Sequence, residues 1–205
     1  MENQIEIQKL VNSKLNPFEI FKKCFEFAKS NKNIIEPTAM CLSTVSPENK
    51  PSSRMVLLKK FDENGFCFYT NLNSRKAQEL KSNNFVALCF YWGVLRIQIR
   101  VEGKIQPVST KEADEYFSSR RRESQIGAWA SNQSHKMSNW QDFLDKIATI
   151  ENKFRDQDVL RPEFWSGFRV VPTAIEFWQE GDFRIHHRFL FEKSLNSWVV
   201  NQLYP

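Results

Sequence analysis

Between Leu95 and Glu102 the chain alternates without a break. Leu95, Ile97, Ile99 and Val101 face one way; Arg96, Gln98, Arg100 and Glu102 face the other. A period of two fits a strand with one face buried and the other wetted. Strand-like runs recur at 38–45, 53–61, 66–70, 86–92 and 95–108, and again at 168–171, 174–179, 183–191 and 197–203. Turn chemistry separates the early ones: Ser46-Pro47-Glu48-Asn49 ends the first, and Asp62-Glu63-Asn64-Gly65 closes the second with an Asn-Gly hairpin signal. The expected fold class is therefore mainly β with flanking helices (α+β), an antiparallel barrel with its helices packed outside.

The helices announce themselves by their caps. Asn16-Pro17 opens one whose apolar stripe is Phe18, Ile20, Phe21, Phe25, Phe27 and Ala28. Another starts near Ser74, a third at the capping box Ser109-Thr110-Lys111-Glu112, and a further one spans about 138–154. Residues 1–16 read as a mostly polar arm, and 17–205 as one domain, with no repeat or linker to divide it.

Composition narrows the chemistry. With 41% apolar residues and 29 Lys+Arg against 24 Asp+Glu, wholesale disorder is excluded. Six glycines form neither G-x-G-x-x-G nor G-x-x-x-x-G-K-[ST], so any phosphate must be held by side chains and helix ends. The net charge of +5 favours anionic partners. No helix-turn-helix, zinc-finger or RNP-type pattern supports nucleic acid. Cys24, Cys41, Cys67 and Cys89 make no C-x-x-C and read as buried free thiols. Three histidines are too few for a His-rich metal cluster. Residues 1–10 lack an apolar signal core, and no run approaches the roughly 20 apolar residues that span a bilayer. The expectation is a cytoplasmic protein that binds no membrane.

Four constellations can carry chemistry. Arg54-Met55-Val56-Leu57-Leu58-Lys59 is a strand with a cation at each end, suited to an anion at a barrel mouth or merely exposed at its ends. Tyr69-Thr70-Asn71 leads to Ser74-Arg75-Lys76, where free N–H groups of a helix start sit beside two cations. Basic residues in a first turn oppose the helix dipole, a cost that a bound phosphate offsets. Tyr116, Arg120 and Ser124 lie four apart and share a face if their helix continues, a set suited to a phosphate ester. Arg184, His186 and Arg188 fall on one face if they form a strand, which suits an anion or an electron-rich ring. No Ser/His/Asp, Cys/His or paired-carboxylate arrangement stands out.

In order and spacing these segments resemble the pyridoxine/pyridoxamine 5′-phosphate oxidase family from about Asn16 to Pro205. The likeness rests on Arg54 to Lys59, Phe68-Tyr-Thr-Asn71, Ser74-Arg-Lys76, Ser124-Gln-Ile-Gly-Ala-Trp129, Gln133-Ser134, Phe168-Arg-Val170 and Ile175-Glu-Phe-Trp-Gln179. The resemblance implies a homodimeric split β-barrel with FMN at the subunit interface. It implies oxidation of pyridoxamine or pyridoxine 5′-phosphate to pyridoxal 5′-phosphate, with O2 reduced to hydrogen peroxide. Carried over by position, Arg54, Met55, Val56, Leu57, Leu58, Lys59, Tyr69, Thr70, Arg75, Lys76, Gln98, Gln133, Ser134, Trp178 and Arg188 would hold FMN. Lys59, Tyr116, Arg120 and Ser124 would hold the substrate phosphate, and Arg184 and His186 would lie over the pyridine ring as the catalytic pair. The chain departs from the family pattern at Ile97 (Arg), Ser166 (Gly), His187 (Asp) and Gln202 (Arg), and lacks an Arg- and Tyr-containing N-terminal segment. The alternatives are a split-barrel flavin oxidase for another cyclic substrate, such as a phenazine precursor, and a non-catalytic FMN or pyridoxal-phosphate carrier.

Overall fold

The structure, a computed structural model, describes residues 5–195 and 197–205. Helix α1 (Ile7–Asn12) precedes α2 (Pro17–Ser30), whose capping box is complete: Asn16 Oδ1 accepts from the Glu19 N–H, and Glu19 accepts from the Asn16 N–H. Of the apolar stripe of α2, Phe18, Ile20, Phe21 and Ala28 are buried, while Phe25 and Phe27 are half-buried and pack against the core. Phe21 meets Phe61, Phe66 and Phe90 edge to face, with ring centroids 4.8, 4.9 and 5.1 Å away, so this helix seals one end of the sheet.

The strands are β1 (Ala39–Val45), β2 (Pro51–Leu57), β3 (Lys60–Asp62), β4 (Gly65–Asn71), β5 (Phe85–Trp92), β6 (Ile97–Pro107), β7 (Trp165–Gln179), β8 (His187–Ser194) and β9 (Ser197–Leu203). All pair antiparallel in the order β2-β1-β5-β6-β7-β4-β3, with β8 on β7 and β9 on β8. The 15-residue β7 makes the sheet curl. Its first half pairs with β4 and its second half with β8, while β6 follows its other edge from Phe168 to Gln179. The register with β6 slips between Glu102 and Gly103, where a Cβ on Gly103 would stand 2.2 Å from the Val171 carbonyl oxygen. Only glycine permits that approach. After β2 the chain changes partners: the Leu58 N–H donates to the Thr38 carbonyl and the Lys59 N–H to the Cys67 carbonyl. That step draws the sheet into a half-barrel and lays Arg54 to Lys59 beside Tyr69 and Thr70. The interior is filled by Met40, Leu42, Phe66, Phe68, Leu88, Phe90, Ile97, Ile99, Val101, Val170, Ile175 and Phe177.

The remaining helices are α3 (Arg75–Ser82), α4 (Thr110–Ser118), α5 (Arg122–Ala130) and α6 (Trp140–Lys153). Several sequence expectations change. The 53–61 run is two strands, and 168–171 with 174–179 is one. Leu95 belongs to a 3-10 turn, and Arg96 is left-handed (φ 56°), so β6 starts at Ile97. Arg184 also lies in a 3-10 turn, with Phe183 and Arg184 both left-handed (φ 54° and 66°). Cys41 and Cys89 are half-buried, not buried. The described part of the 1–16 arm is anchored. Ile7 is buried, and the Gln179 side chain accepts from the Ile7 N–H and donates to the Ile5 carbonyl; residues 1–4 lie outside the described residues.

Candidate active site

A cleft of about 800 Å³ opens where β2, β4, α4 and α5 converge. Arg54, Met55, Val56, Leu57 and Lys59 line it from β2 and its exit, Tyr69 and Thr70 from β4, and Lys76 from α3. Gln133 stands beside Thr70 and Lys76, and Tyr116, Arg120 and Ser124 close the other side.

One end is built on the start of α3. Ser74 occupies the cap position, yet its hydroxyl donates to the Asn71 carbonyl, so no side chain caps this helix. Lys76 turns inward and donates to Thr70 Oγ1 (3.0 Å) and Gln133 Oε1 (2.8 Å). Burial, then the nearby Arg54 charge, lower its pKa to about 8 against the opposing pull of Glu79. Its close partners are neutral oxygens. Arg54 is held by the Leu42 carbonyl, Thr44, Ser52 and Glu79, the last at 3.0 Å. Arg75, also expected at the FMN site, is largely exposed, donates from Nε to Glu79 at 2.8 Å and lies outside the cleft lining.

The other end is aromatic and cationic. The helix read through Tyr116, Arg120 and Ser124 does not continue: α4 stops at Ser118 and α5 begins at Arg122. The break still leaves all three side chains on the cleft. Tyr69 stacks on Tyr116 (4.1 Å) and on Trp165 (5.4 Å). Burial is the main force raising the Tyr69 phenol to about 12, so it stays neutral. The Arg120 guanidinium lies 4.8 Å from the Trp165 ring centre, and its buried Nη1 has no hydrogen-bond partner. Arg120 lines the cleft, and a guanidinium with an unsatisfied nitrogen suits an anion. Lys76 and Arg120 thus give the cleft two cationic poles, each fit for one phosphate, with apolar β2 and stacked tyrosines between for a planar ring.

Five expected residues stand elsewhere. Gln98, Trp178 and Arg188 form a row across β6, β7 and β8, joined by the registers Gln98↔Trp178 and Trp178↔Arg188. The His186 ring lies 4.8 Å from Trp178, and its Nδ1 accepts from the Gly181 N–H at 3.3 Å. Arg184 is exposed in the 3-10 turn and His186 precedes the start of β8 at His187, so neither shares a strand face with Arg188 as expected. Arg188 binds Glu176 (2.7 Å), which also pairs with Arg100 (3.1 Å). None of the five lines the cleft. Leu58 is buried in the core, and Ser134 is exposed and left-handed, also outside the lining. Among the departures, Ile97 is wholly buried in the core, while His187 and Gln202 are exposed. Sequence reasoning missed Glu79, whose i, i+4 spacing from Arg75 was the available signal, and Trp165, which carried none.

Comparison with known proteins points to one family. Residues 27–154 match the family described as pyridoxamine 5′-phosphate oxidase, and residues 165–205 match the pyridoxine 5′-phosphate oxidase C-terminal dimerisation region. The chain is 47% identical to the pyridoxine/pyridoxamine 5′-phosphate oxidase of Gluconobacter oxydans, over 96% of this chain and 98% of that one. It is 44% identical to the protein of the same name from Pelagibacter ubique, over 100% and 99%. Among solved structures, PhzG from Burkholderia lata in complex with tetrahydrophenazine-1-carboxylic acid superposes with a TM-score of 0.87 at 27% identity, covering 93% of each chain. An FMN-binding protein from Nostoc punctiforme shares the fold at a TM-score of 0.75 and 15% identity. With matches of this extent along nearly its whole length, the chain belongs to the pyridoxamine 5′-phosphate oxidase family.

Proposed function

We propose that the protein is an FMN-dependent oxidase that converts pyridoxamine or pyridoxine 5′-phosphate to pyridoxal 5′-phosphate. The observation that carries this reading is the pair of cationic poles, Lys76 and Arg120, at opposite sides of one cleft. In it, Arg54, Arg75 and Lys76 bind the FMN phosphate, and β2 from Met55 to Leu57 lines the flavin. Lys59, Tyr116, Arg120 and Ser124 bind the substrate phosphate. When bound, FMN would supply the two-electron redox chemistry between the substrate C4′ carbon and O2, yielding hydrogen peroxide, with hydrolytic loss of ammonia where the substrate is the amine. The protein's part is orientation and charge placement. Gln98, Trp178, Arg184, His186 and Arg188 stand outside their own protomer's cleft, so a second copy supplies them, with Arg184 and His186 over the pyridine ring. The dimerisation-region match over 165–205, which contains four of these five, supports that arrangement.

The likeness to PhzG favours a second reading, oxidation of a tricyclic acid without phosphate. The test is to record the visible spectrum of the purified protein and add pyridoxamine 5′-phosphate in air. Flavin absorption with stoichiometric aldehyde and peroxide is expected. A yellow protein that forms no product from this substrate, yet oxidises a tetrahydrophenazine carboxylic acid, would replace the first reading with the second.

A further inference from the structure

Glu79 lies on α3, one turn beyond Lys76, with its side chain only 4% exposed. It faces inward to the strands, where a lone carboxylate would be costly to bury. Instead it is the most heavily bonded side chain near the cleft. Thr44 and Ser52 donate hydroxyls to it from β1 and β2, Arg54 donates from Nη2, and Arg75 donates from Nε along the helix. Burial alone would raise its pKa, but these four donors outweigh burial and hold it down to about 2. At neutral pH it is therefore an anion that ties helix α3 to the paired strands β1 and β2.

Two consequences follow for the cations around it. Arg54 makes four hydrogen bonds at this end, to the Leu42 carbonyl, Thr44, Ser52 and Glu79; two of those partners, Thr44 and Ser52, themselves donate to Glu79. Removing Glu79 takes away one of these four partners and the acceptor that orients the hydroxyls of two others. The charge also balances: Arg54, Arg75 and Lys76 less Glu79 leave two positive charges, which matches a phosphomonoester dianion.

We infer that Glu79 is a positioning residue for the phosphate end of the cleft: it fixes Arg54 and Arg75 in their binding geometry and trims three cations to the charge of one phosphate. The inference rests on the reading that these cations hold the FMN phosphate. An opposite role is physically open. As a plain neighbouring anion, Glu79 would repel phosphate, and its neutralisation would tighten binding. The sign of the effect decides between them.

The experiment is fluorescence titration of FMN and of riboflavin, which lacks the phosphate, into apoprotein of wild type, Glu79→Gln and Ser52→Ala. Wild type is expected to bind FMN far more tightly than riboflavin. Glu79→Gln should lose about 10- to 100-fold in FMN affinity, the size of one or two charge-assisted hydrogen bonds, and leave riboflavin affinity unchanged. Ser52→Ala keeps every charge and loosens one anchor, so it should lose a smaller factor in the same direction. If Glu79→Gln fails to fold, Ser52→Ala with unchanged FMN affinity overturns the inference. Tighter FMN binding by Glu79→Gln, or equal losses for FMN and riboflavin, also overturns it. A wild type that binds the two flavins equally would instead refute the phosphate assignment beneath it.

Discussion

Arg120 offers a prediction in which stability and function move apart. In the unliganded protein its buried Nη1 lacks a partner, a defect that costs about 1–3 kcal/mol. The guanidinium recovers about 1–2 kcal/mol by lying over Trp165 at 4.8 Å and near Phe117 at 5.5 Å. An Arg120→Met variant keeps the stem and gains a sulfur–aromatic contact of about 0.3–1.5 kcal/mol, without the orphaned donor. Taken at mid-range the sum favours the variant by about 1.4 kcal/mol, a rise in Tm of roughly 3–6 °C. Substrate binding loses one or two charge-assisted hydrogen bonds to phosphate, so kcat/KM for pyridoxamine 5′-phosphate should fall about 10- to 100-fold or more. The assay compares pyridoxamine 5′-phosphate with pyridoxamine, alongside a thermal melt. The ratio of their kcat/KM values should collapse, because pyridoxamine never had that contact. A Tm lowered by about 10 °C with the ratio intact would show that Arg120 is a structural cation and refute the reasoning.

Two further outcomes follow from the same geometry. Lys76 is held down to about 8, so the unliganded protein sheds this charge as pH rises through that value, and a bound phosphate restores it. FMN binding should weaken above pH 8 and take up a proton near pH 9, read by calorimetry in two buffers of different ionisation enthalpy; no uptake would contradict the assignment. Gly103→Ala would push a Cβ to 2.2 Å from the Val171 carbonyl oxygen and 2.8 Å from the Pro172 Cα. Both are backbone atoms that cannot rotate away, so destabilisation of about 3 kcal/mol or more is expected by denaturant melt.

Strand positions were readable because alternation reports burial directly. Ile97, Ile99 and Val101 are each fully buried, as their period of two demands. The caps at Asn16 and Ser109 were equally readable, since each capping box is a local pattern that the chain realises in place. What the sequence could not give depends on distant partners. The continuity of β7 through Pro172 rests on its pairing with β6 from Phe168 to Gln179, and no local signal anticipates it. The turn at 182–184 violates local preference, since Phe183 and Arg184 both take left-handed backbone that side chains disfavour. A strand was the reasonable expectation there. The site residues were legible as types and spacings, but their division into two clusters was not. Tyr116, Arg120 and Ser124 reach one cleft across a helix break, whereas Arg184 and His186 sit on a separate corner of the sheet.

That division leads to a decisive test of where the complete site resides. A symmetric dimer with isologous contacts has two equal sites, and each would combine the cleft of one protomer with the 184–188 corner of the other. A Lys59→Met/Arg120→Met double variant damages only the cleft, and an Arg184→Ala variant damages only the corner. Each homodimer carries the same lesion in both sites and should be nearly inactive. In a mixed dimer the two lesions fall together in one site, and the second site is wholly wild type. Random reassortment makes half the dimers mixed with one intact site in each, so about a quarter of wild-type activity should return on mixing. If the cleft and the corner of one protomer served the same site, every site in the mixed dimer would carry a lesion. Mixed dimers, verified by a tag on one variant, would then recover nothing, and the two-protomer site would have to be abandoned.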